Sequence, residues 1–166
     1  MNRITARRTV VITLLLGCIG FSEGLIQKQK EKKSMTQSGP QVRFMNRAAA
    51  GYSHVVEVRG GRTLYIAGQV AADKDGKLVG AGDFRAQVKQ VFENLKMRLE
   101  EAGATFKDVV KLNYYLVDAS DMQALRDIRN GYINVDNPPA STLVVVRRLA
   151  REEYLLEIEA VAVASE

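Results

Sequence analysis

The sequence predicts a two-layer α+β domain, and three observations carry that expectation. Short, β-prone apolar runs alternate with turn signals from residue 42 onward. One long stretch, Phe84 to Ala102, switches to an apolar spacing of three or four residues, the mark of an amphipathic helix. A second helical pattern then stops at Asn137-Pro138-Pro139 and gives way to another apolar run. Strands and helices that each show one covered face pack as a sheet with helices on one side. With 166 residues, 46% hydrophobic and 26% charged, there is room for one domain with a substantial core.

Taken in order, residues 55–58 and 63–70 are apolar runs separated by Gly60-Gly61, which predicts a hairpin. Asp75-Gly76 marks a turn before Leu78-Val79, a short bracketed third strand. Phe84, Val88, Val91, Leu95, Leu99 and Ala102 form one helical face, with Asp83 to cap its start and Gly103 to close its end. Residues 109–117 form a strand with Val110, Leu112, Tyr114 and Leu116 on one face. Ser120 with Gln123 suggests a capping box for a second helix carrying Met122, Leu125 and Ile128. Residues 143–146 and 155–164 are the last two strands. The order is β-β-(β)-α-β-α-β-β, without an internal repeat.

In the last strand, period two puts Ile158, Ala160 and Ala162 on one face and Glu157, Glu159, Val161 and Val163 on the other. The first set suits close helix packing. The second is mostly apolar yet holds two carboxylates. Either both faces are covered, the second by other subunits, and the carboxylates find partners there, or they lie in solvent near the strand start.

The net charge of +5 is unevenly distributed. Residues 1–40 hold seven Lys/Arg and two Asp/Glu, and the remainder holds 17 of each sign. The putting-together of positive charge expected of a nucleic-acid-binding domain is therefore absent from the core in bulk, and no nucleic-acid partner is expected. One cysteine, Cys18, and one histidine, His54, make neither an intramolecular disulfide nor a metal cluster.

The first 40 residues carry a different message. Arg3, Arg7 and Arg8 precede residues 10–21, an apolar run of signal-peptide length. Leu15-Leu16-Gly17-Cys18 resembles a bacterial lipobox, in which the cysteine is lipidated and becomes the mature N-terminus. The expected organisation is a signal peptide or lipoprotein signal over 1–24, a polar basic linker over 25–41 and the folded domain over 42–166. It implies a periplasmic or membrane-anchored protein, tethered through its N-terminus. The alternative is translation from Met35, which would leave the protein in the cytoplasm.

Several segments together resemble the Rid/YjgF family of reactive-intermediate deaminases: Gly51-Tyr52-Ser53-His54-Val55-Val56, Leu64-Tyr65-Ile66-Ala67-Gly68-Gln69-Val70 and Val109-Val110-Lys111-Leu112-Asn113-Tyr114-Tyr115-Leu116-Val117-Asp118. Pro138-Pro139-Ala140-Ser141-Thr142-Leu143 and Glu157-Ile158-Glu159-Ala160-Val161-Ala162-Val163 complete the pattern. The resemblance covers residues 43–165, in order and with family spacing. It implies a chorismate-mutase-like two-layer α+β sandwich assembled as a homotrimer, with small-molecule clefts between subunits and no metal or cofactor. Typical members hydrolyse 2-imino acids to 2-oxo acids and ammonia, gripping the substrate carboxylate with an arginine fork.

Carried over by position, Tyr52 matches the family tyrosine, Gly68 the glycine whose amide lines the cleft, and Glu157 the glutamate. Ser141 stands where the arginine belongs, Ala67 where a serine is common, and Arg126 approximately where an asparagine is common. Tyr52 and Glu157 are thus the expected catalytic pair, and Gly68, Ser141 and Arg126 the expected substrate contacts. A serine hydroxyl supplies neither the charge nor the fork of an arginine. Three functions compete: a cofactor-free hydrolase or deaminase of small imine, enamine or related carbonyl compounds with altered specificity; a trimeric cleft that binds a small metabolite without turning it over; and an RNA-cleaving or translation-inhibiting role, which the resemblance brings in from some relatives and against which the neutral core and the lack of a basic-aromatic pattern argue. Ser141 with no histidine near it in sequence is not marked as a nucleophile. His54 reads as a surface or edge-strand residue.

Overall fold

The change of period at Phe84 is where sheet gives way to helix. In the computed structural model, which describes residues 39–166, the elements are β1 (Gln41–Ala48), β2 (Tyr52–Arg59), β3 (Arg62–Gln69), α1 (Phe84–Glu101), a 3-10 turn (Phe106–Asp108), β4 (Val109–Leu116), α2 (Met122–Asn130), β5 (Ala140–Val145) and β6 (Leu156–Ala164). The signal-like run, Cys18, Met35 and the boundary drawn between residues 24 and 25 lie outside the described residues. The strands form one sheet in the order β1-β2-β5-β4-β6-β3.

The helices cover one face of that sheet. Val88, Val91, Phe92, Leu95 and Leu99 of α1 are fully buried against Leu112, Leu116, Leu156 and Ile158 of β4 and β6. Burying each such side chain contributes about 1.5–3 kcal/mol. The expected face of β4 is the buried one, and Ala160 and Ala162 of β6 join it, small enough for close helix approach. Asp83 caps α1 by accepting the Ala86 N–H at 3.0 Å, and Gly103, at φ 69°, follows its last turn as expected.

Three expectations about local structure are corrected. Gly60-Gly61 does not close a hairpin. β2 pairs antiparallel with β1 along its whole length, while β3 pairs with β6 at the other end of the sheet order. The two glycines, both at positive φ, turn the chain between these partners. A Cβ on Gly61 would lie 2.8 Å from the Ala164 carbonyl oxygen, so the bend also needs a residue without a side chain. The real hairpin is β1–β2, and β1 escapes the pattern because its apolar alternation, Val42 then Phe44, breaks at Met45. Leu78-Val79 contributes only an isolated bridge, Ala72 opposite Leu78. Finally, α2 is capped by Asp121, which accepts the Ala124 N–H at 3.1 Å; Ser120 instead donates to Asp118 at 2.8 Å. The carboxylate one residue later outcompetes the hydroxyl for the helix start.

β4 and β5 run parallel, joined by α2, with Leu112 opposite Ser141 and Tyr114 opposite Leu143. β2 touches β5 through the single pair Ser53–Ala140. The β1–β2 hairpin therefore joins β5 at its Tyr52 end, and that junction builds the site.

Candidate active site

The double proline sets the geometry. Pro138 and Pro139 are buried, and their carbonyls, having no helix or sheet partner, accept two hydrogen bonds from Ser53: Oγ donates to Pro138 at 2.7 Å and the backbone N–H to Pro139 at 3.1 Å. Ser53 is itself 1% exposed. This fixes the start of β5 against the start of β2 and brings Ser141 beside Tyr52. Both line a cleft of about 250 Å³, together with Tyr114, Leu125, Arg126 and Arg129. Three of the residues expected at the site, Tyr52, Ser141 and Arg126, are thus brought together.

Arg129 was not expected. It follows Arg126 by three residues on α2, so both present to the same side of the helix; that spacing was the available signal. Arg129 is 8% exposed. Its Nε and Nη2 donate to Asn130 Oδ1 at 3.2 and 2.9 Å, and Nη2 reaches the Ala50 carbonyl at 3.5 Å. Gly51, at φ 79°, leaves room for the guanidinium: a Cβ there would lie 2.6 Å from Nη2. Among the described residues neither Arg126 nor Arg129 forms an ion pair with a carboxylate. Burial pushes the Tyr114 hydroxyl well above the usual tyrosine range, partly opposed by the Arg129 charge and hydrogen bond.

Gly68 and Glu157 form a second cluster. The Glu157 carboxylate lies directly over Gly68, where any Cβ would collide with it. Glu157 is half-buried and has no hydrogen bond from the described residues. Its neighbour Glu159 is satisfied: Asn113 donates to it at 2.6 Å and the Tyr115 hydroxyl at 3.1 Å. That bond to Glu159 holds the Tyr115 hydroxyl above its ordinary pKa. Of the two alternatives for these carboxylates, Glu159 therefore finds partners within its own sheet, and Glu157 waits without one.

The two clusters lie on opposite faces of the sheet. Glu157 alternates with the buried Leu156 and Ile158, so it points away from the helices. Ser141 shares its face with Leu143, which packs on the core and lines the same cleft as Leu125 of α2. One protomer cannot aim Tyr52 and Glu157 at one small molecule through its own sheet. The face bearing Glu157 also carries exposed apolar groups, Val144 at 42% among them, with Tyr65 at 84% on the outer strand.

His54 is exposed and meets the Tyr52 ring edge-on at 5.1 Å between centroids. The lining of the Ser141 cleft includes no histidine or carboxylate to activate that hydroxyl. Among the described residues no group of His, Cys, Asp and Glu is placed to hold a metal ion.

Comparison with known proteins agrees with this architecture. The family described as Endoribonuclease L-PSP matches residues 44–164. A RutC family protein of Pyrococcus abyssi is 38% identical over 111 residues, 67% of this chain and 84% of the relative. A 2-iminobutanoate/2-iminopropanoate deaminase of Dermatophagoides farinae is 30% identical over 68% of this chain and 84% of its own. Among solved structures, a Yersinia pestis protein of unknown function from the conserved Rid family is 40% identical, with a TM-score of 0.65 over 76% of this chain and 99% of that one. RidA from an Antarctic Psychrobacter is 34% identical, with a TM-score of 0.57 over 76% and 99%.

Proposed function

The chain belongs to the Rid/YjgF family, and from that premise we propose that it is a cofactor-free hydrolase of small imine or enamine compounds, working at clefts between the subunits of a homotrimer with a specificity other than that of the usual 2-imino acid deaminases. The observation that carries this is the division of the site residues between two faces of one sheet. Tyr52 and Ser141 sit on the helix side, and Gly68 and Glu157 on the other. A heterologous contact between copies lets the half-site of one protomer meet the complementary half of the next, and repeating it closes a ring. The exposed Val144 is apolar surface for such a contact.

In the assembled cleft, imine hydrolysis needs little machinery. Water adds to the C=N carbon, the carbinolamine loses ammonia, and a carbonyl remains. Glu157, a carboxylate without an internal partner, accepts a proton from the attacking water. The Gly68 backbone and Tyr52 hydroxyl orient the substrate. Ser141 offers one hydrogen bond where the usual members have a cationic fork. The relative from Dermatophagoides farinae, named a 2-iminobutanoate/2-iminopropanoate deaminase, supports the reaction class; Ser141 supports the altered specificity.

The test is hydrolysis of 2-iminopropanoate and a panel of larger imines, generated in place and followed by loss of the imine, on the full chain and on Glu157→Gln. Catalysis of any of them that is lost in Glu157→Gln supports the proposal; equal rates in the two proteins reject it. Sedimentation should give about three chains per particle. We further propose export with lipidation at Cys18, on the sequence pattern alone; intact mass of the native protein decides it, and an unmodified N-terminus at Met35 would reject it.

A further inference from the structure

We propose that Arg129 and Arg126 of α2 form the anion receptor of the Ser141 cleft, supplying from the helix wall the positive charge that the family supplies from the strand. The inference rests on the proposal above that this cleft takes the substrate, and it names the substrate as a small carboxylate whose charged end turns towards α2.

The argument begins with the cost of a buried cation. A guanidinium that is 8% exposed loses most of its hydration, and such a charge is normally matched by a carboxylate. Arg129 has none among the described residues. Its hydrogen-bond partners are neutral: the Asn130 side chain, the Ala50 carbonyl and the Tyr114 hydroxyl. The glycine at position 51 gives the guanidinium its seat. Arg126 lines the same cleft from the same side of α2. Two cations three residues apart repel each other when nothing lies between them, and an anionic ligand relieves both. The arginines also border a second hollow of about 200 Å³, lined by Gly51, Gln123 and Ile133. In the Ser141 cleft they share the lining with Tyr52 and with Ser141 of β5.

Calorimetric titration of the full chain with pyruvate and with its neutral methyl ester tests the receptor. Pyruvate should bind at least about tenfold more tightly than the ester, and Arg126→Gln or Arg129→Gln should weaken pyruvate by about tenfold to a hundredfold, the loss of a charge-assisted pair. The ester should be affected little by either change. Arg129→Lys, which keeps the charge without the fork, should retain part of the preference for pyruvate. If melting curves show that Arg129→Gln is unfolded, Arg126→Gln and Arg129→Lys decide the matter. Wild-type protein that binds the ester as well as pyruvate, or pyruvate binding unmoved in Arg126→Gln and in the folded Arg129 variants, would overturn the proposal. Wild-type protein that hydrolyses none of the imines, with pyruvate binding still dependent on the arginines, would reject the enzymatic reading and leave the receptor standing.

Discussion

Ser53 donates its hydroxyl hydrogen to the Pro138 carbonyl across 2.7 Å, in a setting where the serine is 1% exposed and the proline fully buried. This bond joins the β1–β2 hairpin to the turn that delivers Ser141. Removing it leaves a buried carbonyl without its side-chain donor. Ser53→Ala should cost about 1–2 kcal/mol of stability. It should also loosen Tyr52 against Ser141. A chemical denaturation midpoint checks the first effect and pyruvate affinity the second; an unchanged midpoint would contradict the role given to this bond.

Gly68 is needed for space rather than for backbone freedom, since a Cβ there would occupy the position of the Glu157 carboxylate. Gly68→Ala should leave the melting temperature within a few degrees, because Glu157 is the flexible partner and can swing away. It should abolish any activity that depends on Glu157. The comparison of melting temperature and rate in one variant checks this.

Gln87 is fully buried in the first turn of α1 and makes three bonds to distant backbone. It donates to the Gly80 carbonyl at 3.1 Å and the Glu153 carbonyl at 2.8 Å, and accepts the Leu155 N–H at 2.9 Å. It holds the loop that leads into β6, and hence the register of Glu157. Gln87→Leu strands these groups and should cost at least about 2 kcal/mol. Thermal unfolding measures it.

Tyr114 sets an alkaline limit. Burial raises its folded-state pKa above the ordinary value of 10.0, against the opposing influence of Arg129. The folded protein therefore keeps the phenol proton where the unfolded chain releases it. Stability from this group is complete below pH 10 and falls as pH rises beyond it. Tyr132, raised by burial and then by its bond to Glu93, acts in the same direction. The slope of unfolding free energy against pH above 10 should become shallower in Tyr114→Phe; an unchanged slope would contradict the assignment.

Much of this architecture was legible in the residues. The apolar period of α1, the Asp83 cap and the buried face of β4 follow from local spacing, which is a property of neighbours in the chain. Strand pairing is not. Gly60-Gly61 has the chemistry of a hairpin turn, but β2 and β3 each find another partner, which no local signal encodes. At the site, Tyr52, Ser141 and Arg126 could be named from sequence, and they do share a cleft. Arg129 escaped because a helix-borne arginine near a chain of surface polar residues reads as solvated, and only the packing of Gly51 and Ala50 over it reveals its burial. That Glu157 lies on the far face from Ser141 follows from the alternation of β6 once the sheet order is known.

The central claim is that Tyr52 of one copy works with Glu157 of another. Complementation between two inactive variants tests it most directly. Tyr52→Phe and Glu157→Gln are unfolded together, refolded as an equal mixture, and assayed on the imine that the wild type hydrolyses fastest. Random assembly across heterologous interfaces restores both native groups to about a quarter of the clefts, so the mixture should recover about a quarter of wild-type turnover while each variant alone stays inactive. A mixture that stays as inactive as its components, although sedimentation shows mixed trimers, would contradict the account.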